Sequence, residues 1–137
     1  MARDKFHEEV RLALEADGWT VTADPLSFKV GKIQVQMDLG AEKLIAAERG
    51  NEKIAIEIKT FSNLSFITAL YEAVGKYVIY RNVLKIRDPE RVLFLAIPEV
   101  IYKRFFEEII VQGVLEEENF NMVIYNQHTK AISQWIK

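Results

Sequence analysis

Between residues 53 and 61 the chain reads KIAIEIKTF, with an apolar residue at every second position. That is the period of a β-strand, whose side chains point alternately to its two faces. Ile54, Ile56 and Ile58 then share one face, and Ala55, Glu57 and Lys59 the other. From residue 64 the period lengthens, and LSFITALYEAVGKYVIYRNVL places Phe66, Leu70, Val74, Tyr77 and Val78 on one helical stripe, with Ser62 or Asn63 available as its cap. A strand that feeds directly into a long apolar helix must have that helix packed back against its sheet. The fold class is therefore α/β (α+β), a central mixed β-sheet flanked by helices.

The remaining sequence fits this frame. RDKFHEEVRLALEADGW predicts a helix from about residue 4 to 17, with Phe6, Val10, Ala13 and Leu14 at helical spacing, Asp4 as N-cap and Gly18 as stop. WTVTA, LSFKV and IQVQMDL are rich in β-branched and aromatic residues and separated by turn signals at Asp24-Pro25 and Gly31-Lys32, so they predict strands in an antiparallel meander. Gly50-Asn51 predicts a hairpin between two further strands. RVLFLAIP reads as a strand buried on both faces, and EVIYKRFFEEIIVQG as one helix that stops at Gly113. FNMVIYN and KAISQWI close the chain as two strands joined by a turn at 126–129. With 137 residues, half of them hydrophobic, one domain spanning 1–137 is expected.

Composition excludes several function classes. Without cysteine there is no disulfide framework and no thiolate metal site, which fits a reducing, cytoplasmic setting. No apolar run reaches the roughly 18 residues needed to span a bilayer, so no membrane attachment is expected. A formal charge of −2 lacks the bias of a protein that grips nucleic acid over its whole surface, so any DNA contact is a local patch.

The chemistry concentrates in two strands. IQVQMDL puts Asp38 at its end, and if this strand lies near KIAIEIK, then Asp38, Glu57 and Lys59 converge at one sheet edge. Mutual repulsion between two carboxylates is relieved by a divalent cation, and hard oxygen ligands suit Mg²⁺. A lysine beside that ion can orient an attacking water or stabilise charge on a phosphate, which is the chemistry of phosphodiester hydrolysis. The bland alternative is a solvated Glu57–Lys59 pair, with Asp38 starting a turn.

MDLGAEK…IAIEIKT resembles the PD-(D/E)xK nuclease superfamily, and that resemblance implies a restriction-endonuclease-like core. Met37 stands where that motif has Pro. Many such nucleases carry another carboxylate on the first helix, which brings His7, Glu8 and Glu9 into consideration, with His7 and Glu8 as the candidates. Many also have a Gln in the middle helix, where VGKY offers Lys76; Lys76 and Arg81 are the candidate DNA contacts. A more specific match covers nearly the whole chain. FHEEVRLALEADGWTVTADPL, DLGAEKLIAAERGNEKIAIEIKTF, AVGKYVIYR, DPERVLFLAIP and ISQW together resemble the XisH family, the fdxN element excision controlling factors of cyanobacteria. The resemblance implies control of programmed DNA element excision beside a site-specific recombinase and a second small controlling protein, XisI. Three readings stay open: a DNA-binding accessory factor with a nuclease-derived core, an active Mg²⁺-dependent endonuclease, and a protein-interaction module. For the third, the apolar run VIYKRFFEEIIVQGVL offers a face to a partner or to a second copy in a homodimer.

Overall fold

The computed structural model describes residues 5–35, 38–39, 42–59, 61 and 65–137, with 5, 33–35, 38–39, 42 and 43 described by backbone alone. In chain order the elements are α1 (Lys5–Ala16), β1 (Thr20–Ala23), β2 (Phe28–Val30), β3 (Ile33–Val35), β4 (Asp38–Leu39), β5 (Glu42–Arg49), β6 (Glu52–Ile58), α2 (Phe66–Arg87), β7 (Val92–Pro98), α3 (Glu99–Phe105), α4 (Ile109–Glu118), β8 (Met122–Asn126) and β9 (Ala131–Ile136). The main sheet runs β1-β5-β6-β7-β8-β9, with short β4 also paired to β5. It is mixed: β6, β7 and β8 are mutually parallel, while β1, β5 and β9 pair antiparallel with their neighbours. The fold class expected from the sequence is the one observed.

Two cores lie on opposite faces of this sheet. On one face α1 packs Val10, Ala13 and Leu14 against Ile54, Ile56, Ile58, Phe94 and Tyr125. On the other, α2, α3 and α4 cover Leu44, Ala55, Leu93, Leu95 and Ile97. Central β7 therefore contributes to both cores, which is why its sequence is a continuous apolar run. No helix among the described residues is long and apolar enough to cross a membrane.

Local signals set the element ends. At the end of α1 the amide of Gly18 donates to Glu15 and that of Trp19 to Leu14, the paired bonds of a Schellman cap, with Gly18 at φ +91° as that cap requires. Asn119 closes α4 in the same way at φ 52°, with Phe120 donating to Leu115. The hairpin at Gly50-Asn51 and the closing turn form as expected, the latter held by Asn126 Oδ1 accepting from the amides of His128 and Thr129.

Other expectations are corrected. The three early strand segments do not form a meander: β1 pairs with β5, while β2 and β3 make a separate two-stranded hairpin. Phe28 and Leu26 anchor that hairpin on the α2 core. Asp4, Ser62 and Asn63 lie outside the described residues, and the cap of α2 is Ser65, whose hydroxyl accepts from the Thr68 amide. Val78 is 37% exposed and lies off the buried stripe of α2, which is Ala69, Leu70, Ala73, Tyr77, Tyr80, Val83 and Leu84. The single helix expected to stop at Gly113 is two helices, and Gly113 lies inside the second. The break has a geometric cause. At 100° per residue a straight helix would set Phe106 and Leu115 about 180° apart, yet both are buried against the same sheet face. The chain bends at 106–108, and the Gln112 side chain donates to the Phe106 carbonyl across the bend.

Candidate functional site

Glu57 and Lys59 face the α2 core, as their alternation with Ala55 requires. In the sheet Glu57 stands between Leu44 of β5 and Leu95 of β7. It is 2% exposed and Lys59 only 1%, so the solvated-pair alternative is excluded by burial. Lys59 follows directly after β6, at the carboxyl end of the three parallel strands, where open α/β sheets carry their ligand sites.

Lys59 Nζ donates to Glu72 Oε1 of α2 at 2.5 Å. The hydrogen bond first, and then the lysine's charge, hold the Glu72 carboxyl below its usual range; Lys76, one turn further along α2, adds to the effect. Lys59 and Glu72 thus form an ion pair between a buried strand end and the exposed side of a helix, with Lys76 close enough for its charge to act on Glu72. Beneath it, the Tyr77 hydroxyl donates to the Leu93 carbonyl at 3.1 Å and accepts from the Asn121 amide at 3.0 Å. Burial is the main reason the Tyr77 hydroxyl is pushed up, and the Glu57 charge contributes. Glu72 went unremarked in the sequence, although it is the one acidic residue between Asn63 and Asp88. A lone acid in an apolar helix directly after a Glu-x-Lys strand was the available signal.

Asp38 is placed by its backbone register. It pairs with Lys43, which in turn pairs with Ile58, so Asp38 lies across β5 from β6 and one row beyond Glu57. Two strand spacings, roughly 10 Å, separate the two backbones. Among the described residues no group of three acidic or histidine side chains stands together to hold a metal ion. Glu57 supplies carboxylate oxygens of the kind Mg²⁺ prefers.

On the opposite face, His7 and Glu8 have different surroundings. His7 is buried, and its Nε2 lies 2.8–2.9 Å from the Asp24 carboxylate, which also accepts from Arg11 Nη1 at 2.6 Å. Glu8 points outward near the start of α1, where a negative charge suits the helix dipole. The buried carboxylate of this helix is Glu9, which falls on the Phe6–Val10–Ala13 stripe. Its Oε1 and the Tyr125 hydroxyl are both buried without a hydrogen-bond partner among the described residues. The Tyr125 hydroxyl is pushed well up by burial and then by the Glu9 charge. The other candidate DNA contact, Arg81, is engaged by the carbonyl and carboxylate of Glu118, and nearby Arg91 by Asp88, Glu48 and the Ile54 carbonyl. A cleft of about 440 Å³ lined by Tyr77, Arg81, Lys85 and Arg91 opens toward the amino end of β7, away from Lys59.

These features define an α/β protein of mixed sheet that buries a carboxylate on inner strand β6 and a lysine just after it, and braces the lysine from the crossover helix. The XisH protein family model matches residues 1–133, and the chain belongs to the XisH family. It is similar to an XisH family protein from Nostoc punctiforme, at 43% identity over 98% of this chain and 100% of that one, with a TM-score of 0.91. It is also similar to an fdxN element excision controlling factor protein from Anabaena variabilis, at 40% identity over 97% and 98% of the two chains, with a TM-score of 0.90. No curated protein matches the chain significantly.

Proposed function

We propose that this chain is a controlling factor for programmed excision of a DNA element, and that it acts as a DNA-binding protein whose core derives from PD-(D/E)xK nucleases. The observation that carries the reading is the burial of Glu57 and Lys59 side by side at the carboxyl end of β6, with Lys59 held by Glu72. A wholly buried lysine is an expensive residue to keep for structure alone. Family membership and the similarity to an excision controlling factor supply the biological setting. In that setting the partners are DNA, a site-specific recombinase and an XisI-type controlling protein. In this reading the backbone phosphates contact local basic groups despite the negative net charge, the candidates being exposed Lys29 and Lys32 on the β2–β3 hairpin and Lys76 beside Glu72.

The burial of that pair equally favours a second reading, an active endonuclease. In it Glu57 and Asp38 would hold Mg²⁺, and the ion would supply the positive charge that phosphodiester cleavage requires. Lys59, with its Nζ fixed by Glu72, would then stand ready to donate a hydrogen bond to a phosphate oxygen or to a water.

The deciding experiment incubates plasmid and branched DNA with the chain in Mg²⁺ or Mn²⁺ and follows binding and cleavage together, beside Glu57→Ala and Lys59→Ala. Salt-dependent binding without cleavage is the expected result and supports a regulatory protein that retains the site for binding. Cleavage lost in both variants would make the chain an enzyme. Absence of DNA binding at low salt overturns both readings and leaves a protein-interaction module.

A further inference from the structure

Lys59 is held in a state that no phosphate can reach. Its side chain is 0% exposed, and its Nζ lies 2.5 Å from Glu72 Oε1. A DNA-binding role for this amine therefore requires a second arrangement of the site, in which a group now lying on Lys59 has moved away. The Glu72 side chain is 45% exposed, so it meets the buried amine from the solvent side and has room to leave. The backbone need not follow. Helix α2 is 22 residues long and anchored in the core by its buried stripe, so the movement is a change of Glu72 rotamer alone.

The helix offers Glu72 a second partner. Lys76 stands four residues on, and a glutamate four residues before a lysine is the favourable order for a helical pair. Lys76 already lies near enough for its charge to act on Glu72. One carboxylate thus has two lysines within reach, the first sealed in the site and the second half-exposed on the helix. A swing from the first to the second uncovers Lys59 without leaving the carboxylate unpaired. An arriving phosphate favours that swing, because phosphate and carboxylate both present anionic oxygens to an ammonium and repel each other on the same one.

We infer that Glu72 is an autoinhibitory latch: its carboxylate holds the place on Lys59 that a DNA backbone phosphate takes, and phosphate binding moves it across to Lys76. The inference rests on the reading of this site as a DNA-binding one and adds how the site is kept closed. A latch lowers the apparent affinity by the fraction of chains that stand open. A strut has the opposite signature, since removing it would disorder Lys59 and weaken binding.

The test compares DNA binding at low salt, with divalent metals chelated, by the native chain, Glu72→Gln, Lys59→Met and the double variant. Gln keeps the size of Glu72 and an acceptor for Lys59 but removes the charge, and Met fills the place of Lys59 without one. Glu72→Gln should tighten binding by about 10-fold when Lys59 is present and by less than about 2-fold when Met replaces it, because the latch acts only through Lys59. An equal gain in both backgrounds is the general effect of losing a negative charge and overturns the inference. Binding that Glu72→Gln weakens or leaves unchanged also overturns it, with the DNA-binding reading intact. Binding by none of these chains overturns that reading and the latch together. If Lys59→Met fails to fold, acetylation of lysines read by mass spectrometry decides: Lys59 should be protected in the native chain and modified about 10-fold faster in Glu72→Gln, and equal protection in the two overturns the latch.

Discussion

The two faces of the sheet bury ionisable groups in different ways. On the α2 face, Lys59 is sealed from solvent but meets a carboxylate whose other side reaches water, and the Tyr77 hydroxyl has both a donor and an acceptor. On the α1 face, Glu9 and Tyr125 put polar atoms into the core that find no hydrogen-bond partner among the described residues. A satisfied buried group resists removal, while an unsatisfied one already bears its desolvation cost and can be dispensed with. Lys59 and Tyr77 on the first face are therefore held by their partners, whereas Glu9 Oε1 and the Tyr125 hydroxyl on the second add no such bond.

Substitutions can break this contrast. Lys59→Ala should give the largest effect, a loss of about 2–4 kcal/mol in denaturant unfolding, because it empties a buried volume as well as removing the ion pair. Lys59→Met fills that volume without a charge and should restore most of the stability while leaving DNA binding impaired, so the pair of variants separates fold from function. Tyr77→Phe should cost about 1 kcal/mol, since Asn121 loses its acceptor while the Leu93 carbonyl still accepts from the Asn121 side chain. Tyr125→Phe should lie within about 0.5 kcal/mol of the native chain, or gain slightly, because no hydrogen bond is lost. A cost above that of Tyr77→Phe would show that the α1 face is as tightly specified as its counterpart.

The dependence on pH sharpens the same contrast. Glu72 is held below its usual range, so its contribution is present above the ordinary glutamate value near 4.5 and is lost as pH falls through its lower folded value. Melting curves of Glu72→Gln should therefore show a weaker acid dependence than the native chain. Tyr125 has the opposite sign. Its folded value lies well above 10.0, so stability falls as pH rises beyond that point toward the folded value, and Tyr125→Phe should flatten the alkaline limb.

Much of the fold was legible because its signals are local. The period-two run of β6, the unbroken apolar run of β7 and the glycine after α1 each act within a few residues. What the sequence left hidden depends on partners far along the chain. β1 could not be assigned to β5 rather than β2 from strand propensity, since register is settled by which faces must be buried. The break before α4 is legible only once Phe106 and Leu115 are known to face one sheet. At the candidate site, alternation placed Glu57 and Lys59 on one face but left open whether that face was solvated or buried. Glu72, thirteen residues beyond Lys59, needed the packing angle of α2, and the choice of Glu9 over Glu8 as the inward carboxylate needed only the helical stripe, applied one residue further along.

β6 is neither an edge nor a lid: β5 lies on one side of it and β7 on the other. Local fraying at the sheet margins cannot expose Glu57, so its amide should exchange with solvent only when the whole domain opens, among the slowest in the chain. The site then has no partly formed state. A variant that halves the folded population halves the number of intact sites in the same proportion, and any defect of the protein in a cell has to be corrected for abundance before it is read as chemistry.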